Sequence, residues 1–168
     1  MLWPKKRPRS GARPLLYPLS YFGRCFPLRC YVPVEFKFAN EVTVRFAETD
    51  AQGVAHHAAY LVWFEVTRIE YLRRFRGGYA ELRAEGVDAL TLEAYARYVE
   101  AARFDDRLTI RARCGDVRGA RFRFDYSVER DGVQVAEGWT THACVSVGSH
   151  RPTRVPAWLV EAIAEAES

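Results

Sequence analysis

The sequence predicts an α+β fold of one long helix and an antiparallel sheet of about five strands. A central helix wrapped by a curved sheet is one such arrangement, and the periods support its layers without by themselves choosing it from other α+β folds. Three observations predict the class. Between about Ala58 and Phe75, residues Tyr60, Trp63, Phe64, Thr67, Tyr71, Leu72 and Phe75 recur at i, i+3, i+4 and i+7, forming one wide stripe on a helix. From Val87 onward the period changes to two, with arginines such as Arg107, Arg111, Arg113, Arg121 and Arg123 on one side. Turn residues (Gly115, Gly119 and the pair Asp131-Gly132) cut that second stretch into consecutive antiparallel segments.

Each element follows in chain order. Glu41-Val42-Thr43-Val44-Arg45-Phe46 alternates, so a strand here puts Val42, Val44 and Phe46 on one face. Residues 48–53 are polar, contain Gly53 and read as a loop. The long helix follows and Gly77-Gly78 ends it. A short helix, Tyr79 to Glu85, is closed by Gly86. Strands are expected over about 88–101, 105–115, 120–130 and 133–147. A last helix, Ala157 to Glu165, follows Pro156, a residue suited to a first helical turn.

At 168 residues, 49% hydrophobic and 14% aromatic, the chain has material for one sizeable core, which excludes wholesale disorder. Its net charge of +4 is unevenly distributed. Residues 1–38 hold eight Lys and Arg against one acid, Glu35, a net of +7, whereas residues 39–168 hold 17 against 20, a net of −3. Six of the eight prolines and all three lysines also lie in the first 38 residues. Residues 1–38 therefore read as a disordered or non-native extension, and residues 39–168 as the folded domain. Met1 is the only methionine, so a shorter product would begin at a codon read here as valine or leucine, with Val32, Val34 and Val42 as candidates. Prolines and Arg24 interrupt every apolar stretch that could serve as a signal peptide, and no run has the roughly 18–20 apolar residues of a membrane span. The expected setting is cytoplasmic. The run Lys5-Lys6-Arg7-Pro8-Arg9 could form a basic arm, but no nucleic-acid partner is expected. Cys25, Cys30, Cys114 and Cys144 show no metal-site spacing and read as idle or buried thiols.

The densest chemistry lies in Thr49-Asp50-Ala51-Gln52-Gly53-Val54-Ala55-His56-His57-Ala58-Ala59-Tyr60, followed by Trp63-Phe64-Glu65. A carboxylate sits in a loop after a strand, Gly53 permits a tight turn, and a helix begins a few residues later. The free N–H groups and positive end of that helix point back at the loop. Acyl transfer needs this pairing: N–H groups to hold an oxyanion and a carboxylate to attack or to activate water. Taken alone, Asp-x-x-Gly is also a common turn, and His56-His57 can be surface residues ahead of a helix. Adjacent histidines diverge and no further ligand spacing completes a metal site.

The wider pattern Arg45-Phe46-x-Glu48-Thr49-Asp50-x-x-Gly53-Val54-x-x-His57-x-x-Tyr60-x-x-x-x-Glu65-x-x-Arg68 resembles the signature of the 4-hydroxybenzoyl-CoA thioesterase family, and within it the bacterial acyl-CoA thioesterases associated with the Tol-Pal system. Phe104-Asp105-Asp106-x-Leu108, Arg118-Gly119, Arg151-Pro152 and Pro156 extend the match over about residues 41–160. Departures fall at Phe46, Ala101 and Arg121, where relatives carry tyrosine, proline and a small hydroxyl residue. The resemblance implies a hotdog fold, working as a homodimer or homotetramer, that hydrolyses acyl-CoA with no metal and no bound cofactor. It implies Asp50 as the catalytic carboxylate and His57 as the residue whose backbone N–H polarises the thioester carbonyl. Glu65 matches a helix carboxylate facing the active site, or pairs structurally with Arg68. Gly53, Val54, Tyr60, Arg118, Gly119 and Arg151 are the implied substrate-binding positions, the arginines toward the phosphates of CoA. A hotdog hydratase or dehydratase acting on acyl-CoA or acyl-carrier protein, and a non-catalytic acyl-CoA-binding module, are the alternatives.

Overall fold

In a computed structural model, which describes residues 35–168, the chain runs β1 (Phe38–Thr43), one 3-10 turn (Phe46–Glu48), α1 (His57–Arg73) and α2 (Tyr79–Ala84). It continues through β2 (Val87–Tyr98), β3 (Arg107–Arg118), β4 (Arg121–Arg130), β5 (Val133–Ser146) and α3 (Ala157–Glu167). The extension expected over residues 1–38, with its basic run and Cys25 and Cys30, lies outside the described residues as far as residue 34, and Phe38 already belongs to β1. The five strands form one antiparallel sheet in the order β1-β3-β4-β5-β2, the expected hotdog arrangement around α1.

Period-two alternation explains which faces are buried. In β3, Leu108, Ile110, Ala112 and Cys114 point inward, and in β4 so do Phe122, Phe124, Tyr126 and Val128. The buried stripe of α1, with Tyr60, Trp63, Phe64, Thr67, Tyr71 and Leu72, lies against them. Phe64 stacks flat on Tyr126, ring centroids 4.3 Å apart. Opposite Phe64 the sheet carries Gly138, where an added Cβ would sit 2.6 Å from the Phe64 ring and closer still to the Tyr95 carbonyl. Only glycine lets the helix approach this closely.

A polar line crosses the same interior: Tyr126 Oη meets Thr140 Oγ1 at 3.1 Å, Thr140 Oγ1 meets His142 Nε2 at 2.7 Å, and Thr91 Oγ1 lies 3.4 Å from His142 Nδ1. His142 is 0% exposed, and burial, aided by the Arg68 charge, pushes its imidazole down to about 3. At the far end of α1, the Tyr71 hydroxyl and the Cys114 N–H both donate to Glu167, which ties α3 to α1 and β3. Cys114 and Cys144 are buried free thiols.

Two local expectations change. The first strand does not reach Phe46: Val44 is buried, but the Glu48 carboxylate accepts the Arg45 N–H at 2.9 Å and turns the chain into the 3-10 element. Phe46 is consequently 76% exposed, edge-on to Phe104 at 5.8 Å. Pro156 is the N-cap of α3, extended at ψ 139°, and not its first turn. The Asp131-Gly132 pair makes the expected tight turn, both residues having positive φ.

Candidate active site

The segment from Glu48 to His56 is a closed loop fixed to the start of α1. Thr49 and Ala55 form an antiparallel bridge, Asp50 N–H donates to the Val54 carbonyl at 2.9 Å, and His56 N–H donates to the Glu48 carbonyl at 2.7 Å. At the tip, Gly53 N–H closes a turn on the Asp50 carbonyl at 3.0 Å. Gly53 has φ +74° with open space around its Cβ position, so backbone conformation and not crowding calls for glycine. The Ala55 N–H anchors the returning arm to the Ala102 carbonyl at 2.8 Å.

Asp50 is half-buried on this loop, and its Oδ1 accepts the Gln52 N–H at 2.8 Å. Val54, also half-buried, opposes it across the loop. His56 is the N-cap of α1, its Nδ1 accepting the Ala58 N–H at 3.2 Å, and His57 is the first helical residue. The His57 N–H has no acceptor among the described residues, while its carbonyl accepts the Tyr98 hydroxyl at 3.1 Å. The loop that carries the Asp50 carboxylate is therefore tied at its root to a helix N-terminus with a free donor.

Glu48 sits at the root of the loop, its side chain only 10% exposed. Its carboxylate accepts the Arg45 N–H at 2.9 Å, the Arg45 guanidinium at 2.7 Å and the Trp63 indole N–H at 3.1 Å. Burial raises its pKa, but these hydrogen bonds and the Arg45 charge outweigh burial and hold it below the usual carboxylate range. Arg103 approaches the Gly53 carbonyl at 3.5 Å. Glu48 stands in the quoted motif, but nothing in its spacing signals these contacts. Tyr98 and Arg103 lie more than forty residues from the loop, so no local pattern points to them.

The other sequence-derived positions divide into three groups. Tyr60 is 3% exposed between Trp63 and Tyr98, ring centroids 4.7 and 4.8 Å away, and burial raises its phenol. It packs beneath the helix start. Glu65 is exposed on α1 beside Leu61, Val62 and Val66, and makes no ion pair with the buried Arg68 among the described residues. Arg118, Gly119 and Arg151 lie at the opposite end of the sheet from Asp50. Val44 bonds to Asp106 just before β3 begins, whereas Arg118 ends β3 twelve residues on, at most about 40 Å along the chain at roughly 3.3 Å per residue. There the Gly119 carbonyl accepts the Val155 N–H and the Arg151 carbonyl the Ser146 N–H, both at 2.9 Å, so the three gather near one another. Among the described residues no group of three or more His, Cys, Asp or Glu could hold a metal ion.

Residues 44–163 match the thioesterase-like superfamily. An acyl-CoA thioesterase of Haemophilus influenzae, YbgC, is 33% identical over 120 residues, 71% of this chain and 88% of that protein. The crystal structure of TT1821 from Thermus thermophilus superposes with TM-score 0.71 at 35% identity, covering 76% of this chain and 98% of that one. A 1,4-dihydroxy-2-naphthoyl-CoA thioesterase from Synechocystis shares the fold, with TM-score 0.71 at 20% identity over 78% of this chain and 98% of its own.

Proposed function

The chain belongs to the thioesterase-like superfamily and is a thioester hydrolase, and on that premise we propose that it hydrolyses acyl-CoA to a carboxylic acid and CoA, with Asp50 as the catalytic carboxylate. The observation that carries this reading is the juxtaposition of the Asp50 loop with the free His57 N–H at the positive end of α1. The thioester carbonyl is held on that N–H, which stabilises the negative charge developing on oxygen. Asp50 either attacks the carbonyl carbon, forming a mixed anhydride that water then opens, or takes a proton from the attacking water. In both routes a C–O bond forms, the C–S bond breaks and the CoA thiolate leaves to be protonated. Oxygen-18 from water appears in Asp50 after a single turnover only on the anhydride route. The chemistry draws on no metal or bound cofactor. Within the family the motif around Asp50 supports the 4-hydroxybenzoyl-CoA thioesterase type, on the Tol-Pal-associated bacterial branch, acting in the cytoplasm.

The active unit is a homodimer or homotetramer. Arg118, Gly119 and Arg151 gather at the end of the sheet opposite Asp50, which favours contact with a substrate held by the Asp50 loop of another copy. β2 is an edge strand carrying the exposed Leu90, Leu92, Tyr95 and Tyr98, and α1 exposes Leu61, Val62 and Val66. A second copy pairing antiparallel along β2 would bring its Val87 end, next to its own Ser146 and Arg151, beside the Tyr98 end of the first. Those arginines then meet the phosphates of CoA.

Release of free CoA thiol from a panel of aliphatic and aromatic acyl-CoAs tests the reaction, with enoyl-CoA hydration measured in parallel. Thiol release without hydration is the expected result. Hydration without thiol release, or tight acyl-CoA binding with neither, would replace hydrolysis by the corresponding alternative.

A further inference from the structure

We infer that Glu48 is a positioning residue that sets the Asp50 carboxylate against the N-terminus of α1; this rests on the reading of Asp50 as the catalytic carboxylate. Asp50 itself is held only locally, by the Gln52 N–H two residues on, and that bond fixes its rotamer within the loop without relating the loop to the helix. Two hydrogen bonds supply that relation and both end on Glu48. Its carbonyl accepts His56 N–H, immediately ahead of the helix, and its carboxylate accepts the indole N–H of Trp63, fifteen residues away on the buried face of α1. The remaining carboxylate oxygen takes the Arg45 N–H, which fixes the turn by which β1 delivers the loop.

A surface carboxylate capping a turn would use the Arg45 contacts alone. Reaching inward to Trp63 joins the strand that enters the loop to the helix that leaves it, with Asp50 two residues from the junction. Without the carboxylate, the loop keeps its bridge between Thr49 and Ala55 and the Glu48 carbonyl bond to His56 N–H, but it loses the tie to Trp63 and can rock about that single remaining bond. Misplacement of a reacting group by about 1 Å costs on the order of 100-fold in rate, so such rocking falls on turnover more than on binding.

The test is kcat and KM for Glu48→Ala, Glu48→Gln and Trp63→Phe, each with wild-type Asp50 and with Asp50→Asn, using an acyl-CoA the native protein hydrolyses. Glu48→Ala is expected to lower kcat by about 10- to 100-fold with KM within about threefold, and to lower it by less than about twofold when Asp50 is already Asn. Glu48→Gln keeps a single acceptor oxygen, for the Arg45 N–H or the Trp63 indole N–H but not both, and should leave kcat between that of Glu48→Ala and the native value. Trp63→Phe keeps the packed ring and removes one donor; it should lower kcat about three- to tenfold and answers the question if Glu48→Ala does not fold. Equal losses in both Asp50 backgrounds, a loss confined to KM, or native kcat in Glu48→Ala or Trp63→Phe would overturn the inference. Asp50→Asn with native kcat would instead overturn the reading of the site, a result distinct from all of these.

Discussion

His142 makes the stability of this fold depend on pH above the range in which ordinary carboxylates titrate. The ring is fully enclosed between α1 and the sheet, bonded to Thr140 and near Thr91, and burial pushes its pKa from 6.5 down to about 3. Because the folded value is the lower one, its contribution is present in full above about pH 6.5. It is lost progressively as pH falls toward 3, where the folded state also takes up the proton. Between pH 6.5 and 5.0 the unfolded chain binds a proton that the folded chain excludes, which at about 1.36 kcal/mol per pH unit removes about 2 kcal/mol. Urea unfolding at pH 7.5 and 5.0, at one fixed protomer concentration, measures this directly. The comparison is His142→Gln, which keeps a hydrogen-bonding group but does not titrate. The other histidines are common to both proteins and cancel. The native protein should lose about 2 kcal/mol more than the variant on acidification. Losses that agree within about 0.5 kcal/mol would refute the claim that this imidazole is held neutral by burial.

Three further outcomes follow from the same geometry. His57 is the first residue of α1, a position that tolerates proline, and His56 before it is already extended at ψ 135°. His57→Pro should therefore fold yet lose about 100- to 1000-fold in kcat with the oxyanion donor, whereas His57→Ala, which keeps the N–H, should lose less than about tenfold. Gly138→Ala should destabilise by about 1–3 kcal/mol in thermal or urea unfolding, because its methyl meets the Phe64 ring and the Tyr95 carbonyl. Replacing Arg118 and Arg151 together by alanine should raise KM for acyl-CoA by about tenfold with kcat within about twofold, as expected of groups that grip the substrate equally throughout the reaction.

Much of the fold is legible because its periods are clean. β3 alternates throughout and β4 and β5 over much of their lengths, Gly119 and Asp131-Gly132 separate them as expected, and the observed strands match to within about three residues. Gly115 instead lies inside β3, and β2, mostly exposed and irregular between Thr91 and Glu93, shows no clean alternation. The helix shows equally well, since its buried positions repeat the stripe from Tyr60 to Leu72. The first strand ends earlier than its alternation through Phe46 predicts, because a hydrogen bond from Arg45 N–H to Glu48, which no pattern of apolar residues records, turns the chain there. In the site, Asp50, Gly53 and His57 come together because Asp50 and His57 are only seven positions apart and a loop-to-helix junction leaves little freedom. Arg118 and Arg151 share a linear motif with Asp50 but not an end of the sheet, since motif order carries no information about which end of a strand a turn occupies. Tyr98 and Trp63 acquire their roles only through tertiary contact with His57 and Glu48.

The proposed role of Asp50 in the hydrolysis meets its sharpest test in the turnover of Asp50→Asn. Asparagine has nearly the same shape and keeps an oxygen for the Gln52 N–H, so the loop should persist and the melting temperature should stay within a few degrees of native. It supplies neither a nucleophile nor a base. In a folded Asp50→Asn protein, kcat for acyl-CoA hydrolysis should fall at least about 100-fold. A folded variant with kcat within about threefold of native would contradict that role.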